Sequence, residues 1–379
     1  MRLWSPDERV AVATLAGLPG MTLARLRTLL AHAPDEALQM AAGSRSASPA
    51  IAQLRRRRPD LAARWTDAAR RDPSAMAAAL ERCSLRVIGP ADAEWPDPLR
   101  VDPAPPSALF VCGRIDDQRR RVAIVGTRRP TSAGAELAAR LGRELTDAGL
   151  SIVSGLALGV DGAAHRGALS ANEPFPIGVV ANGHDVPYPR RHAPLWGAVA
   201  AAGAVISEWP PGVPPDAFRF PLRNRIIAAL SEIVIVVESR ERGGSLLTAR
   251  DAAERGVEVM AVPGRPGAPA SAGTNQLVRD GAALVAEPSD VLDALSIDHS
   301  RSTMLVDRRP PPSGPSVAVL AAIDDPVTIE TLVRRTGLEL GQVAVSLARL
   351  ERDGWVFETD GWFESLDRWS TLLSGETPS

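Results

Sequence analysis

The stretch VAIVGTRRPTSAG, residues 122–134, decides the fold: an apolar strand breaks at Gly126 and runs through Thr127, Arg128 and Arg129 into a helix. A strand buried on both faces of a parallel sheet reads as a short continuous apolar run, and a glycine at its carboxyl end permits a tight turn and close approach to a ligand. The amides that open the next helix then face outward beside two arginines, so the turn reads as an anion site. The pattern recurs in LSIVSGLALGVDGAAH (150–165), PIGVVANG (176–183), GAVISEWP (203–210), EIVIVVESRERGGSLLTA (232–249) and VEVMAVPG (257–264). In a parallel sheet these ends share one edge, and ligands bind there at the topological switch point. The expected fold class is α/β: an extended Rossmann-like, doubly wound and mostly parallel sheet.

With 379 residues, 45% hydrophobic content and a net charge of −2, the chain can bury a sizeable core in more than one domain. Two cysteines, Cys83 and Cys112, suit a reduced cytoplasmic protein without a disulfide framework. No apolar run approaches the roughly 18 residues of a membrane span, and MRLWSPDERV has no signal-peptide core, so no membrane partner is expected. All 43 Lys+Arg residues are arginine. Nucleotide composition is the plain cause, since Ala, Gly and Pro are also abundant, but the absence still excludes a P-loop lysine, a Schiff-base lysine and a lysine general base. Every cationic contact falls to guanidinium, whose planar fork suits phosphate and stacks on bases.

Apolar spacing of three and four marks a helical domain over residues 1–82, of helix-hairpin-helix or SAM type. Its GLPGMT turn (17–22) is either a plain helical turn or a phosphate-holding hairpin, and the arginine run 55–58 reads as a solvated face. In WPDPLRVDPAPPSALFVCG (95–113), closely spaced prolines favour extended chain. Alternating strands and helices place the Rossmann-like domain at 83–297, followed by a proline-rich linker (298–315) and a tail (367–379). Between them, 316–366 has winged-helix grammar. Thr328 can cap TIETLVRRTG, GLELGQVAVSLARLERDG is an amphipathic third helix, and WVFETDGWFE turns at Asp360 and Gly361. Arg334, Arg335, Arg349 and Arg352 there face Asp324, Asp325, Glu330, Glu339, Glu351, Asp353, Glu358, Asp360 and Glu364, a balance that favours a protein partner over duplex DNA.

The motifs VAIVGTRRPTSAG, SGLALGVDGAAHRGAL, GHDVPYPRRHAPL, VISEWPPG, FRFPLRNRIIAALS, ESRERGGSLLTARDAAERG, VMAVPGRP and GTNQLVRDGA stand in an order and spacing that resemble the DNA-processing protein A family (DprA, also called Smf). The resemblance spans nearly the whole chain. It implies a single-stranded DNA-binding protein, not an enzyme, that protects DNA and loads the RecA recombinase during natural transformation. It also implies a homodimer built through the Rossmann-like domain. The family's phosphate-holding arginine falls on Arg128, its basic residue after Tyr-Pro on Arg190, its arginine-asparagine-arginine element on Arg223, Asn224 and Arg225, and its small-residue loop on Gly243, Gly244 and Ser245. Leu158, Gly243 and His192 depart from the usual arginine, serine and asparagine, which puts affinity in question more than identity.

The residues themselves support a nucleic-acid groove, because single-strand binders combine cations with planar stacking groups. The expected contacts are Gly126, Thr127, Arg128, Arg129, Gly155, Gly183, Arg190, Arg191, Phe220, Arg223, Asn224, Arg225, Gly244, Ser245 and Thr248. For Phe220 core packing and base stacking both stand, and Tyr188 is either structural or a second platform. The competing reading is a nucleotide-binding or nucleotide-hydrolysing enzyme using the same crevice, with Asp161, His165 and Glu238 as its chemistry. Against it, no acidic residue follows at a second strand end to hold a ribose, and no cofactor is expected.

Overall fold

A computed structural model describes residues 2–43, 48–116, 118–296, 310–323, 326–359 and 361–365. Linker residues 298–309, the acidic Asp324, Asp325 and Asp360, and the tail 367–379 lie outside the described residues. Among those described, no helix is long and apolar enough to cross a membrane.

Six helices come first: α1 (Pro6–Ala16), α2 (Leu23–Leu30), α3 (Pro34–Ala41), α4 (Pro49–Arg57), α5 (Pro59–Ala69) and α6 (Ser74–Arg82). Ser5 opens α1 through a reciprocal capping box with Glu8. In the GLPGMT turn, Gly17, Leu18 and Met21 donate their amides to Ala13, Leu15 and Leu18 carbonyls. The Trp65 indole donates to Pro19 O at 2.8 Å and the Arg25 guanidinium to Gly20 O at 2.6 Å, so the loop's carbonyls are held by the helices around it. Within the arginine run, Arg55 is structural: it donates to the carbonyls of Met40 and Ala41. The helices share one apolar core, centred on Leu15, Leu29 and Trp65, with Val87, Ala108 and Phe110 of the following segment.

That segment gives β1 (Arg86–Ile88), α7 (Asp97–Arg100) and β2 (Leu109–Gly113). The helical turn α7 corrects the extended reading of its prolines: Pro98 stands in the first turn, where a missing N–H costs nothing. The sheet continues with β3 (Arg121–Val125), α8 (Ser132–Asp147), β4 (Ser151–Ser154), α9 (Val160–Leu169), β5 (Ile177–Val180), α10 (Ala193–Ala202), β6 (Ala204–Ser207), α11 (Arg219–Ala229), β7 (Ile233–Val236), α12 (Gly244–Glu254), β8 (Glu258–Ala261), α13 (Ala272–Arg279), β9 (Ala283–Leu284) and α14 (Pro288–Ser296). The nine strands are ordered β1-β2-β6-β5-β4-β3-β7-β8-β9. From β6 to β9 every neighbour is parallel, while β1 and β2 are antiparallel additions at one edge.

Alternate residues of the buried strands feed two cores. Ala123, Val125, Val234 and Val236 pack against α11 and α12, while Val122, Ile124, Ile233 and Ile235 pack against α8 and α9. The chain runs from β3 outward to β6 and then returns to β7 on the other side of β3. The switch point therefore lies between the loops that follow β3 and β7.

The carboxyl-terminal unit is described by itself. It comprises α15 (Pro315–Ala321), β10 (Val327–Thr328), α16 (Ile329–Thr336), α17 (Leu340–Arg352), β11 (Val356–Thr359) and β12 (Trp362–Ser365) around Val319, Leu332, Val343 and Leu347. Thr328 occupies the N-cap of α16, yet its hydroxyl makes no capping bond and lies 3.4 Å from that of Thr331.

Candidate nucleic-acid interface

The loop after β3 ties down the amides of Thr127, Arg129, Thr131 and Gly134 within the protein, which narrows the simplest reading of VAIVGTRRPTSAG. Thr131 caps α8 by accepting the Gly134 amide at 3.0 Å. Glu238, from the loop after β7, then accepts the Thr131 amide at 2.9 Å and the Thr131 hydroxyl at 2.5 Å. The backbone carbonyl of Glu238 accepts the Thr127 amide at 2.7 Å. Thr127 and Thr131, on either side of Arg128, Arg129 and Pro130, are thus both held by one residue.

Arg128 projects from this clamped loop. Its guanidinium carbon lies 5.0 Å from the centre of the Phe220 ring, in cation-π range, and that ring is 5.7 Å from Tyr188. Phe220 and Asn224 are one turn apart on α11 and both are half-buried, which leaves each an accessible side. Arg128, Arg129, Arg190 and Arg191 are exposed, and none forms an ion pair among the described residues.

Sequence reasoning passed over Arg240 and Arg242 after β7 and Arg265 after β8, which are also exposed and unpaired among the described residues. The rule that selected Arg128, a cation just beyond an apolar strand, would have found them. Glu241 interrupts the series. Gly244 opens α12 with no side-chain cap and with open space where a Cβ would sit, so this helix start admits a close backbone approach.

Several expected contacts turn inward. A Cβ on Gly155 would lie 2.0 Å from Arg223 Nη1, one on Gly126 would meet Val160 at 2.7 Å, and one on Gly183 would meet Pro210 O at 2.5 Å. These glycines make room for protein, not for a ligand. Arg223 is buried and donates to Val179 O at 2.5 Å. Burial lowers its guanidinium to about 10, with Asp161 opposing the shift. Arg225 is likewise buried and donates to Glu208 at 2.6 Å. Desolvation raises the Glu208 carboxyl although Arg225 pulls it down. Ser245 donates its hydroxyl to Ser239 at 2.9 Å, and Thr248 is buried. Residues 223 and 225 lie on nearly opposite sides of α11 and are buried against different neighbours, Arg223 against β5 and Arg225 against Glu208 after β6.

The sequence model of the DNA recombination-mediator protein A family matches residues 86–296, and that of the DprA winged helix domain matches 307–361. This chain belongs to the DNA recombination-mediator protein A (DprA) family, whose members are DNA-processing proteins. It is 39% identical over 277 residues to Protein Smf of Escherichia coli K12, covering 70% of this chain and 74% of that protein. It is 36% identical over 299 residues to a putative DNA processing protein DprA of Mycobacterium tuberculosis, covering 73% and 75%. The crystal structure of DprA from Streptococcus pneumoniae superposes with a TM-score of 0.61 at 30% identity, over 76% of this chain and 98% of that one. DprA from Helicobacter pylori, whose single-stranded DNA binding mode has been described structurally, superposes at 0.51 and 30% identity, over 57% and 98%.

In this DprA-family chain two of the residues suspected of catalysis, Asp161 and His165, are enclosed by protein. Asp161 is buried and accepts the Gly155 amide at 3.1 Å, and burial raises its carboxyl despite Arg223. His165 is fully buried, and desolvation lowers it to about 4, so the imidazole is neutral at pH 7. His192, at a position where the family usually has asparagine, is buried with Nδ1 3.0 Å from Leu156 O. Leu158 is half-buried in the loop after β4.

Proposed function

We propose that this protein binds single-stranded DNA along the carboxyl edge of its sheet, protects it and loads the RecA recombinase, acting as a binding protein and not as an enzyme. The Arg128–Phe220–Tyr188 cluster carries the reading: a cation lies over one face of an aromatic ring, at an edge lined by exposed arginines. Arg129, Arg190, Arg191, Arg240 and Arg242 supply charge for successive phosphates, and Gly244 supplies backbone amides. Phe220 and Tyr188 supply planar surface for bases whatever their identity. The single-stranded DNA binding of the Helicobacter pylori relative supports the same assignment. Within this reading the protein works as a homodimer, and the winged helix is a protein-contact module.

The test is anisotropy of a labelled oligo-dT and of a duplex across a salt series. Tighter binding of the single strand, with affinity falling as salt rises and lost in Arg128→Ala with the fold intact, is the expected result. Tight binding indifferent to Arg128 would sink the site. Hydrolysis of a nucleoside monophosphate that disappears on Glu238→Gln would favour the enzyme reading. Sedimentation checks the dimer, and a RecA loading assay with and without residues 307–361 checks the module.

A further inference from the structure

We infer that Glu238 is a specificity-determining and positioning residue: its carboxylate occupies the place where a doubly wound fold would bind a free phosphate, and it holds the Arg128 loop for a polymeric one. The inference rests on the single-stranded DNA reading for its second half only.

In dinucleotide-binding folds the phosphates sit at the start of the helix after the first strand of the switch point, against a glycine that lets them approach. Here that helix is α8 and the glycine is Gly134. A Cβ on Gly134 would meet Glu238 Cδ and Oε1 at 2.5 Å each, so the glycine admits the protein's own carboxylate. The carboxylate takes both the amide and the hydroxyl of Thr131, at 2.9 and 2.5 Å, and is buried. An added phosphate would have to displace a buried, hydrogen-bonded anion or share the site with it, and like charges in contact repel strongly. The side chain and the carbonyl of Glu238 also bind Thr131 and Thr127, which bracket Arg128 and Arg129. One residue therefore closes the crevice and fixes the loop that faces outward.

Two variants separate these roles. A glutamine retains an oxygen to accept from the Thr131 amide and an amide group to donate to its hydroxyl, whereas an alanine leaves the helix start open. Calorimetric titration with inorganic phosphate and with adenosine monophosphate is expected to show no saturable binding for wild type and millimolar binding for Glu238→Ala. Affinity for oligo-dT is expected to fall about three- to tenfold in Glu238→Ala, the worth of one to two hydrogen bonds, and to stay within about twofold in Glu238→Gln. A folded Glu238→Ala protein that ignores both phosphate probes overturns the exclusion role, and unchanged oligo-dT affinity in it overturns the positioning role. If the alanine variant fails to fold, a loss beyond about twofold in Glu238→Gln overturns the positioning role on its own. Wild type that fails to bind oligo-dT defeats the single-stranded DNA reading, while the phosphate titrations still decide the exclusion.

Discussion

Arg128 lies over Phe220 at 5.0 Å, so a cation from the loop after β3 and a ring from α11 are held as one unit. Arg128→Ala is expected to weaken oligo-dT binding and to lower the slope of log affinity against log salt by about 0.7, the value for one phosphate contact on a single strand. Phe220→Ala is expected to cost about 1–3 kcal/mol of binding with the slope unchanged, because stacking releases no counterions. Anisotropy titrations at several salt concentrations check both.

Arg225 has the opposite character. Its ion pair with Glu208 is buried on both sides, with 10% and 2% of the side chains exposed. Glu208→Ala leaves a guanidinium buried without its partner and is expected to cost about 3–5 kcal/mol of stability. Arg225→Ala should do the same, and DNA binding normalised to the folded fraction should hardly change. Urea unfolding read alongside anisotropy separates this from a lost phosphate contact.

Acid should unfold the protein through its histidines. Burial lowers His165 and His184 to about 4 each, below the ordinary 6.5. The unfolded chain therefore binds protons between pH 6.5 and 4 that the folded chain refuses, and stability falls as pH falls through that window. Complete protonation of the unfolded state costs on the order of 3 kcal/mol per histidine. Urea midpoints at pH 7 and 5 are expected to converge in His165→Gln relative to wild type.

Asp251 acts in the other direction. Burial raises its carboxyl to about 7, in spite of Arg255 at 3.6 Å. The unfolded chain loses this proton near pH 4 and the folded chain keeps it, so the stability that Asp251 contributes declines as pH rises from about 4 to 7. Asp251→Asn is expected to stabilise the protein more at pH 8 than at pH 5, as measured by thermal melts.

The alternation of apolar runs with amphipathic helices was enough to read the doubly wound sheet, because each strand needs only its own local composition to be recognised. The two antiparallel edge strands were less legible: β1 is three residues long, and the prolines beside α7 hid a helical turn. The sequence reading treats Arg128, Arg223 and Arg225 alike as contacts, yet Arg128 is exposed while Arg223 and Arg225 are buried. Spacing along α11 does not hold the distinction, because residues two apart point to nearly opposite sides of a helix; what packs on each side decides it.

From the sequence alone followed the fold class, the family resemblance, the all-arginine cation set and the edge at which the strand-end loops gather. Only the tertiary structure decided that Glu238 holds Thr131 at the start of α8, that Gly155 makes room for Arg223, and that Arg223 and Arg225 are buried. Strand and helix patterns arise from interactions a few residues apart. The site is assembled from segments more than a hundred residues apart, such as Thr131 and Glu238, 107 residues apart, whose hydrogen bonds exist only once the sheet has formed.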